Sequence, residues 1–291
     1  MSRGARAMTM LAALALAGCV TGPALGPRVT RLPADGGAVL PARYTRGVFL
    51  LHAEFEGADR PHWLLLDTGT DRTLLDLDFA SRLGLAAEAA ESIVTATGSA
   101  VTGARLRRLP RLRLGEANFE DVDVVGVDLG TLREAGGLPI AGIAGCDLFR
   151  QCLLEIDYLR RSVRVLPRAT APDGGGHAFA ERSPWVDADI AGTRTRVLID
   201  TGFQHSLALP PATALPWRRP PRPGGDIATI DGTTPKLLAR LDGDVALGAL
   251  RWPDPWIVLV PGSPKLGARL LQQCLLRLDA GGGRIWLDPA R

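Results

Sequence analysis

The sequence predicts an all-β protein with two similar lobes in a single chain. Three observations lead to this prediction: an internal repeat, short β-prone segments in both copies of the repeat, and few stretches with helical character. The chain has 291 residues and 46% hydrophobic content, enough to bury one large core or two medium ones.

The repeat is clearest around two Asp-Thr-Gly sequences. Segment 63–75, WLLLDTGTDRTLL, aligns with segment 196–208, RVLIDTGFQHSLA, at an offset of 133 residues (200 minus 67). The same offset places Leu114-Gly115 on Leu247-Gly248. Because one constant offset holds over this whole span, we infer a duplication.

A second block of the repeat lies further along each copy. Segment 145–167 aligns with segment 267–289 at an offset of 122 residues (267 minus 145). The first copy therefore holds eleven extra residues (133 minus 122), which fall in the glycine-containing connection 128–143. Loops tolerate such insertions well.

Helical character is confined to three short stretches. Segment 77–85, LDFASRLGL, and the residues after Gly145 and after Gly267 have helical spacing of apolar side chains. The remaining segments are short, alternating or β-branched runs, which are typical of strands.

The N-terminus is predicted to be an export signal. Arg3 and Arg6 precede an apolar stretch, 8–17, that is too short to span a bilayer as a helix. Segment 16–19, Leu-Ala-Gly-Cys, resembles the lipobox of bacterial lipoproteins, which implies cleavage after residue 18 and lipidation of Cys19. A plain signal peptide that happens to contain a cysteine is the alternative.

The same resemblance suggests where the anchored protein resides. Val20 follows Cys19 at the position where inner-membrane lipoproteins carry Asp as a retention signal. This implies an anchor in the outer membrane, with the protein facing the periplasm.

Two segments rich in Pro and Gly separate the predicted units. Neither 19–40 nor 169–180 shows a hydrophobic period, so we predict a tether and a linker. The predicted organisation is signal peptide 1–18, tether 19–40, first lobe 41–168, linker 169–180 and second lobe 181–291.

Charge and cofactor-type residues exclude several function classes. The formal net charge of +3 is small for this length, and the arginines of segment 105–113 alternate with leucines as on a solvated strand face. We therefore expect no nucleic-acid partner. The sequence has no Cys-x-x-Cys or His-x-x-x-His pair, so we expect no metal and no other cofactor.

Three cysteines remain after Cys19. Cys152 and Cys274 occupy equivalent positions in the two copies, while Cys146 has no counterpart. An exported chain meets an oxidising compartment, so a disulfide between Cys152 and Cys274 and buried free thiols are both left open.

The residues around Asp67 carry a family resemblance. An apolar strand that enters Asp67-Thr68-Gly69, followed by the apolar segment 140–149, IAGIAGCDLF, resembles the retropepsin-like aspartic peptidases. The duplication is similar to the pepsin arrangement, in which each lobe supplies one Asp. Over residues 45–291, the resemblance implies two homologous retropepsin-like β-barrel lobes with pseudo-two-fold symmetry and a few short helices.

The resemblance implies that Asp67 and Asp200 form a catalytic dyad. Two carboxyl groups held together share one proton, so one can take a proton from water while the other donates one to a carbonyl oxygen. Gly69 and Gly202 are expected to let backbone N–H groups approach the acids. Thr68 and Thr201 resemble threonines that hydrogen-bond between lobes.

The position after each Asp-Thr-Gly differs between the copies. We expect Thr70 to donate its hydroxyl proton to Asp67, whereas Phe203 cannot donate. Retropepsins carry Ala at this point, so Phe203 does not exclude catalysis. Because Asp200 lacks this donor, we predict that Asp200 holds the shared proton.

Hairpins over the dyad are expected to hold the substrate. By position these flaps are 95–103 and 228–236, with Gly98 and Gly232 near their tips. Neither contains the Tyr of the pepsin flap.

The predicted function is that of a monomeric, lipid-anchored aspartic endopeptidase that acts on peptide or protein substrates at the cell envelope. The alternative is a catalytically inactive lipoprotein that uses the same groove to bind peptides or envelope polymers. For each Asp-Thr-Gly taken alone, an ordinary β-turn would be an adequate interpretation.

Overall fold

The computed structural model of the chain describes residues 26–34 and 36–289. The predicted signal peptide, 1–18, and the predicted lipidation residue, Cys19, lie outside the described residues. Within the described part, no helix is long and apolar enough to cross a membrane.

The first half of the described chain is dominated by short strands. They are β1 (Val29–Arg31), β2 (Ala38–Leu40), β3 (Ala42–Thr45), β4 (Val48–Phe55), β5 (His62–Leu66), β6 (Leu74–Asp76), β7 (Ala87–Val94), β8 (Ala100–Leu106), β9 (Leu109–Leu114), β10 (Ala117–Val122), β11 (Val125–Val127), β12 (Gly142–Ala144), β13 (Cys152–Asp157) and β14 (Ser162–Pro167).

The second half repeats this pattern. Its strands are β15 (His177–Ala178), β16 (Trp185–Ile190), β17 (Thr193–Asp200), β18 (Leu207–Leu209), β19 (Trp217–Thr229), β20 (Gly232–Leu241), β21 (Asp244–Leu247), β22 (Leu250–Pro253), β23 (Trp256–Leu259), β24 (Lys265–Gly267), β25 (Cys274–Asp279) and β26 (Arg284–Pro289). The all-β prediction is confirmed.

The helices are short, as predicted. Helix α1 (Leu77–Arg82) begins where the Asp76 carboxylate accepts a hydrogen bond from the Phe79 N–H, and it buries Phe79 and Ala80. Helix α3 (Ala268–Leu271) and a 3₁₀ turn (Cys146–Phe149) follow the two repeated glycines. Helix α2 (Gly130–Glu134) was not predicted, since it lies in the eleven-residue insertion and buries none of its side chains.

Most strands of each half form one large sheet with the same central arrangement. In the first half, β12 runs parallel to β5 and antiparallel to β6, while β11 runs parallel to β6. In the second half, β24 runs parallel to β17 and antiparallel to β18, while β23 runs parallel to β18. These central strands carry the two Asp-Thr-Gly turns at their ends.

A third sheet of six strands joins the two halves. Its order is β15-β26-β25-β13-β14-β2, and its centre is the antiparallel pair β13 and β25, with Leu154 opposite Leu278. A single large apolar core extends through both halves and this sheet, and it contains Phe49, Phe149 and Leu276 among its buried side chains. Burial of this apolar surface fixes the two halves against each other.

The tether and linker predictions need correction. Within the predicted tether, β1 pairs with β10 and β2 pairs with β14, so residues 29–31 and 38–40 belong to the folded sheets. Within the predicted linker, His177 and Ala178 pair with β26 as an edge strand. Such two- and three-residue strands have no detectable period in sequence. The lobe boundaries at 168 and 181 stay a prediction.

The two equivalent cysteines are free and buried, as is Cys146. The antiparallel register of β13 and β25 puts Cys152 and Cys274 at opposite ends of the pair, because each is the first residue of its strand. That separation is far beyond the limit of about 7 Å between Cα atoms for a disulfide. The disulfide alternative is therefore wrong for this fold.

Candidate active site

Asp67 and Asp200 lie at the ends of equivalent buried strands and meet each other. Asp67 directly follows β5 and donates its N–H to the Ala144 carbonyl at 3.1 Å, while Asp200 is the last residue of β17. The two carboxyl groups are close enough for the charge of Asp200 to raise the pKa of Asp67. Asp67 is half-buried and Asp200 is 6% exposed. The two turns predicted from the repeat thus bring their acids into one site.

Each Asp-Thr-Gly glycine makes room for the acid of the opposite turn. A β-carbon added at Gly69 would lie 2.6 Å from Asp200 Cγ, and one added at Gly202 would lie 2.5 Å from Asp67 Cγ. Both distances are far inside van der Waals contact. Any side chain at either glycine would separate the two carboxyl groups.

Backbone N–H groups also contact the acids, as expected for the glycine-containing turns. Gly69 N–H donates to Asp67 Oδ1 at 2.8 Å. In the second turn the donor is the N–H of Phe203, which reaches Asp200 Oδ1 at 2.8 Å. Each carboxylate therefore accepts one backbone hydrogen bond that favours its charged form.

Thr68 and Thr201 form a reciprocal hydrogen-bond network between the turns. Thr68 N–H donates to Thr201 Oγ1 at 3.0 Å, and Thr201 N–H donates to Thr68 Oγ1 at 3.2 Å. The Thr68 hydroxyl donates to the Ile199 carbonyl at 2.6 Å and the Thr201 hydroxyl to the Leu66 carbonyl at 3.0 Å. Both threonines are 1% exposed, so the network is shielded from water and fixes the relative position of the acids.

The expectation for Thr70 differs from the geometry. Its hydroxyl donates to the Arg72 carbonyl at 3.3 Å and accepts from the Arg72 N–H at 3.4 Å, rather than contacting Asp67. Phe203 is buried in a small apolar cluster that also contains Ala208 and Val258. The missing hydroxyl at Phe203 therefore makes little difference between the acids, since the matching hydroxyl of Thr70 is turned toward its own loop.

The two acids differ in the groups that surround them. Burial raises the pKa of Asp67 well above its usual value, and the negative charge of Asp200 raises it further. On the other side, the ammonium of Lys265 lies 4.0 Å from Asp200 Oδ2. Both features favour Asp67 as the holder of the shared proton, while the prediction that Asp200 holds it stays a prediction.

Two side chains near the dyad were not predicted to be site residues. Lys265 carries the ammonium just described, and Cys146 donates its thiol proton to the Thr68 carbonyl at 3.2 Å. Burial raises the pKa of the Cys146 thiol well above its usual value, which keeps it neutral. A signal for Lys265 does exist in the sequence, because the repeat aligns this lysine with the apolar Ile143.

Two hairpins stand where the flaps were predicted. Strands β7 and β8 form the first hairpin and β19 and β20 form the second, with Gly98 and Gly232 at their turns in positive φ conformations of 86° and 129°. The tips meet, since Thr97 Oγ1 donates to Asp231 Oδ2 at 2.8 Å.

The first tip also touches the loop before β24. A β-carbon on Gly262 would lie 2.3 Å from the Ala96 carbonyl oxygen, so only glycine permits this approach.

Comparison with known families agrees with this geometry. Residues 51–148 match the family described as aspartyl protease, a span that includes Asp67 and the first hairpin. The comparison with curated proteins gives no match. The matched span, its β architecture and its Asp-Thr-Gly turn lead to one conclusion: residues 51–148 form a retropepsin-like aspartic peptidase domain.

Proposed function

We propose that the protein is an aspartic endopeptidase in which Asp67 and Asp200 form one dyad that activates water. The observation that supports this most strongly is the close approach of the two carboxyl groups. Each acid packs against the glycine of the opposite turn, and the reciprocal bonds of Thr68 and Thr201 hold the two turns together. A structural turn would need neither the second acid nor a glycine that clears space for it.

The proposed chemistry needs only the two acids and a water molecule. The ionised carboxylate takes a proton from water as the water oxygen attacks the peptide carbonyl carbon. The protonated carboxyl gives its proton to the carbonyl oxygen, which yields a tetrahedral diol. Return of a proton to the amide nitrogen then breaks the C–N bond, and the dyad is left with one shared proton again.

The hairpins are suited to hold an extended peptide across this site. Their tips meet through Thr97 and Asp231, and the first tip lies close to Gly262 of the second half. A peptide between the hairpins and the dyad could use their backbone groups, as strand addition does elsewhere. Peptide and protein substrates are thus part of the proposal, and no cofactor is included.

We also propose that Cys19 anchors the enzyme at the outer membrane, facing the periplasm. This part rests on the residues of the N-terminal sequence, Arg3 to Val20. Detergent-phase partitioning of the full chain beside Cys19→Ser tests it. Equal partitioning of the two forms would contradict the anchor.

The peptidase proposal is tested with a soluble form that starts after Cys19. Incubation with a diverse peptide library from pH 3 to 8, followed by mass spectrometry, should give cleavage products at internal peptide bonds. Asp67→Asn and Asp200→Asn should each lower kcat/KM by about a thousandfold or more, since either change removes half of the acid–base pair.

Asp173→Asn, at an exposed position remote from the dyad in sequence, is the matched control and should retain full activity. Cleavage that survives either dyad substitution would contradict the mechanism. Peptide binding by the wild type without any cleavage would favour the alternative, a non-catalytic binding lipoprotein.

A further inference from the structure

Lys265 is a buried lysine at the centre of the second sheet. It is 4% exposed and lies on β24, between β17 and β18. Leu198 is its partner on β17, and Asp200 follows two residues later on the same strand. Because side chains alternate along a strand, Lys265 and Asp200 project from the same face of the sheet.

The lysine ammonium bridges the second acid and the first hairpin. Nζ donates to the Ala96 carbonyl at 2.8 Å and lies 4.0 Å from Asp200 Oδ2. The second distance is too long for a hydrogen bond but short for two opposite charges. An isolated buried ammonium is very unfavourable, so the negative charge that balances it must be nearby. Asp200 is the acid that the geometry provides.

The equivalent position in the first half carries no charge. Ile143 occupies the matching register on β12, opposite Leu65 and within an apolar cluster. That cluster also contacts Ile230, at the tip of the second hairpin. Each half thus receives the hairpin tip of the other, through apolar packing in the first half and through the ammonium in the second.

The charge of this ammonium also lowers the pKa of Asp67, the other acid of the dyad. The remaining titratable groups nearby are neutral, exposed or bonded to other partners. Strand β18 has only apolar side chains, Arg269 of α3 is exposed, Glu91 of the first hairpin is paired with Arg72, and Asp231 of the second hairpin accepts from Thr97. Cys146 and Tyr158 are buried groups whose pKa values burial raises, so both are neutral.

We propose that Lys265 is a positioning residue that sets the charge distribution of the dyad. Its ammonium, oriented by the Ala96 carbonyl, keeps Asp200 as the ionised acid and leaves the shared proton on Asp67. Asp200 is then the group that takes the proton from water, and Asp67 is the group that protonates the substrate carbonyl. This inference rests on the proposed peptidase function.

Loss of the Lys265 charge should shift the pH profile of the enzyme in one direction. A nearby cation lowers the pKa of a carboxyl group, so removing it raises the apparent pKa for the first and for the second ionisation of the dyad. Lys265→Met should therefore move both limbs of the kcat/KM profile to higher pH, by about one unit or more. Lys265→Arg keeps the charge and should keep the limbs in place.

The control is Arg251→Met, which removes one exposed positive charge from β22 in the second half. It should leave both limbs unchanged. A Lys265→Met enzyme that loses activity without any shift of the limbs would show a merely structural role and would overturn the proposal.

A second measurement works without enzyme activity. Carboxyl ¹³C resonances of aspartate-labelled protein give the titration of Asp67 and Asp200 directly, assigned with the two Asn variants. Lys265→Met should raise the dyad titration midpoints and make the two carboxyl groups more alike. Unchanged midpoints would overturn the proposal for Lys265, whereas shifted midpoints in a protein that cleaves no peptide would support it and contradict only the peptidase proposal.

Discussion

The two Asp-Thr-Gly turns share a backbone design but differ in the side chains beside it. Both acids accept one backbone N–H, and both threonines bond across to the opposite turn. Only the second acid has a lysine within 4.0 Å, at the position where the first half has Ile143. The comparison teaches that duplication preserved the parts that fix the two carboxyl groups together and allowed their charge environment to diverge.

The largest expected difference is in how the two acids affect stability. Asp200→Asn leaves the buried Lys265 ammonium without its counter-charge, which should cost about 4 kcal/mol of unfolding free energy. Asp67→Asn replaces the protonated acid of the dyad with a neutral group of the same shape and should cost little. Urea unfolding of both variants at pH 7 measures the difference. Equal losses would show that the lysine does not distinguish the two acids.

Phe203 is expected to matter for packing rather than for the acid beside it. Phe203→Thr should destabilise the fold by about 3 kcal/mol, since the ring is buried in an apolar cluster with Ala208 and Val258. The acidic limb of the pH profile should move little, because the backbone N–H of residue 203 still reaches Asp200. Urea unfolding and the pH profile together check this. A large shift of the acidic limb would mean that the hydroxyl at this position does control the acid.

The two halves also differ at Asp147, a buried acid that the repeat aligns with the exposed Arg269. Burial raises the pKa of Asp147 to about 7, and of its two carboxyl oxygens only Oδ1 has a partner, the Thr73 hydroxyl at 2.6 Å. Because the folded pKa lies above the unfolded one, this group stabilises the fold at low pH, and that contribution is lost as pH rises.

From about pH 4 to 7 the loss should be about 1.4 kcal/mol per pH unit, or about 4 kcal/mol in total. Asp147→Asn should abolish this pH-dependent loss of stability. The stability of the variant should therefore rise relative to that of the wild type as pH increases. Thermal unfolding at pH 4 and pH 8 tests the sign. A variant that is less stable at pH 8 by the same margin as at pH 4 would contradict it.

Loss of the hydroxyl of Thr68 or of Thr201 should reduce the stability of the fold to a similar extent, because both take part in the same hydrogen-bond network between the turns. Thr68→Val and Thr201→Val each leave a buried N–H and a buried carbonyl without partners, and each should cost about 2 kcal/mol. The double variant should cost less than the sum of the two, because each threonine is the other's partner. Urea unfolding of the three variants measures the coupling, and simple additivity would argue against a reciprocal network.

Much of this arrangement could be predicted from the repeat alone. The matched Asp-Thr-Gly turns predicted that Asp67 and Asp200 meet, and the repeated glycines predicted the short helices near residues 146 and 268. What the sequence could not show was determined by tertiary contacts. Thr70 turns to Arg72, and strands β1 and β2 depend on partners more than 80 residues away, Glu120 and Val163 among them.

Lys265 shows a different limit of sequence analysis. The alignment with Ile143 marks it as unusual, but a lysine in an apolar segment is compatible with a side chain that reaches solvent. Only the pairing of β24 with β17 shows that it lies buried beside Asp200. Polar residues at apolar positions of a repeat are therefore worth testing as site residues.

The central claim is that one acid from each turn acts in a single site. Calorimetric titration with a peptide analogue that carries a hydroxyl in place of the scissile carbonyl tests it most directly, since such analogues mimic the tetrahedral state. We predict one analogue bound per chain, with affinity at least about a hundredfold weaker in both Asp67→Asn and Asp200→Asn. Binding that is unaffected by either substitution, or two analogues per chain, would contradict the account.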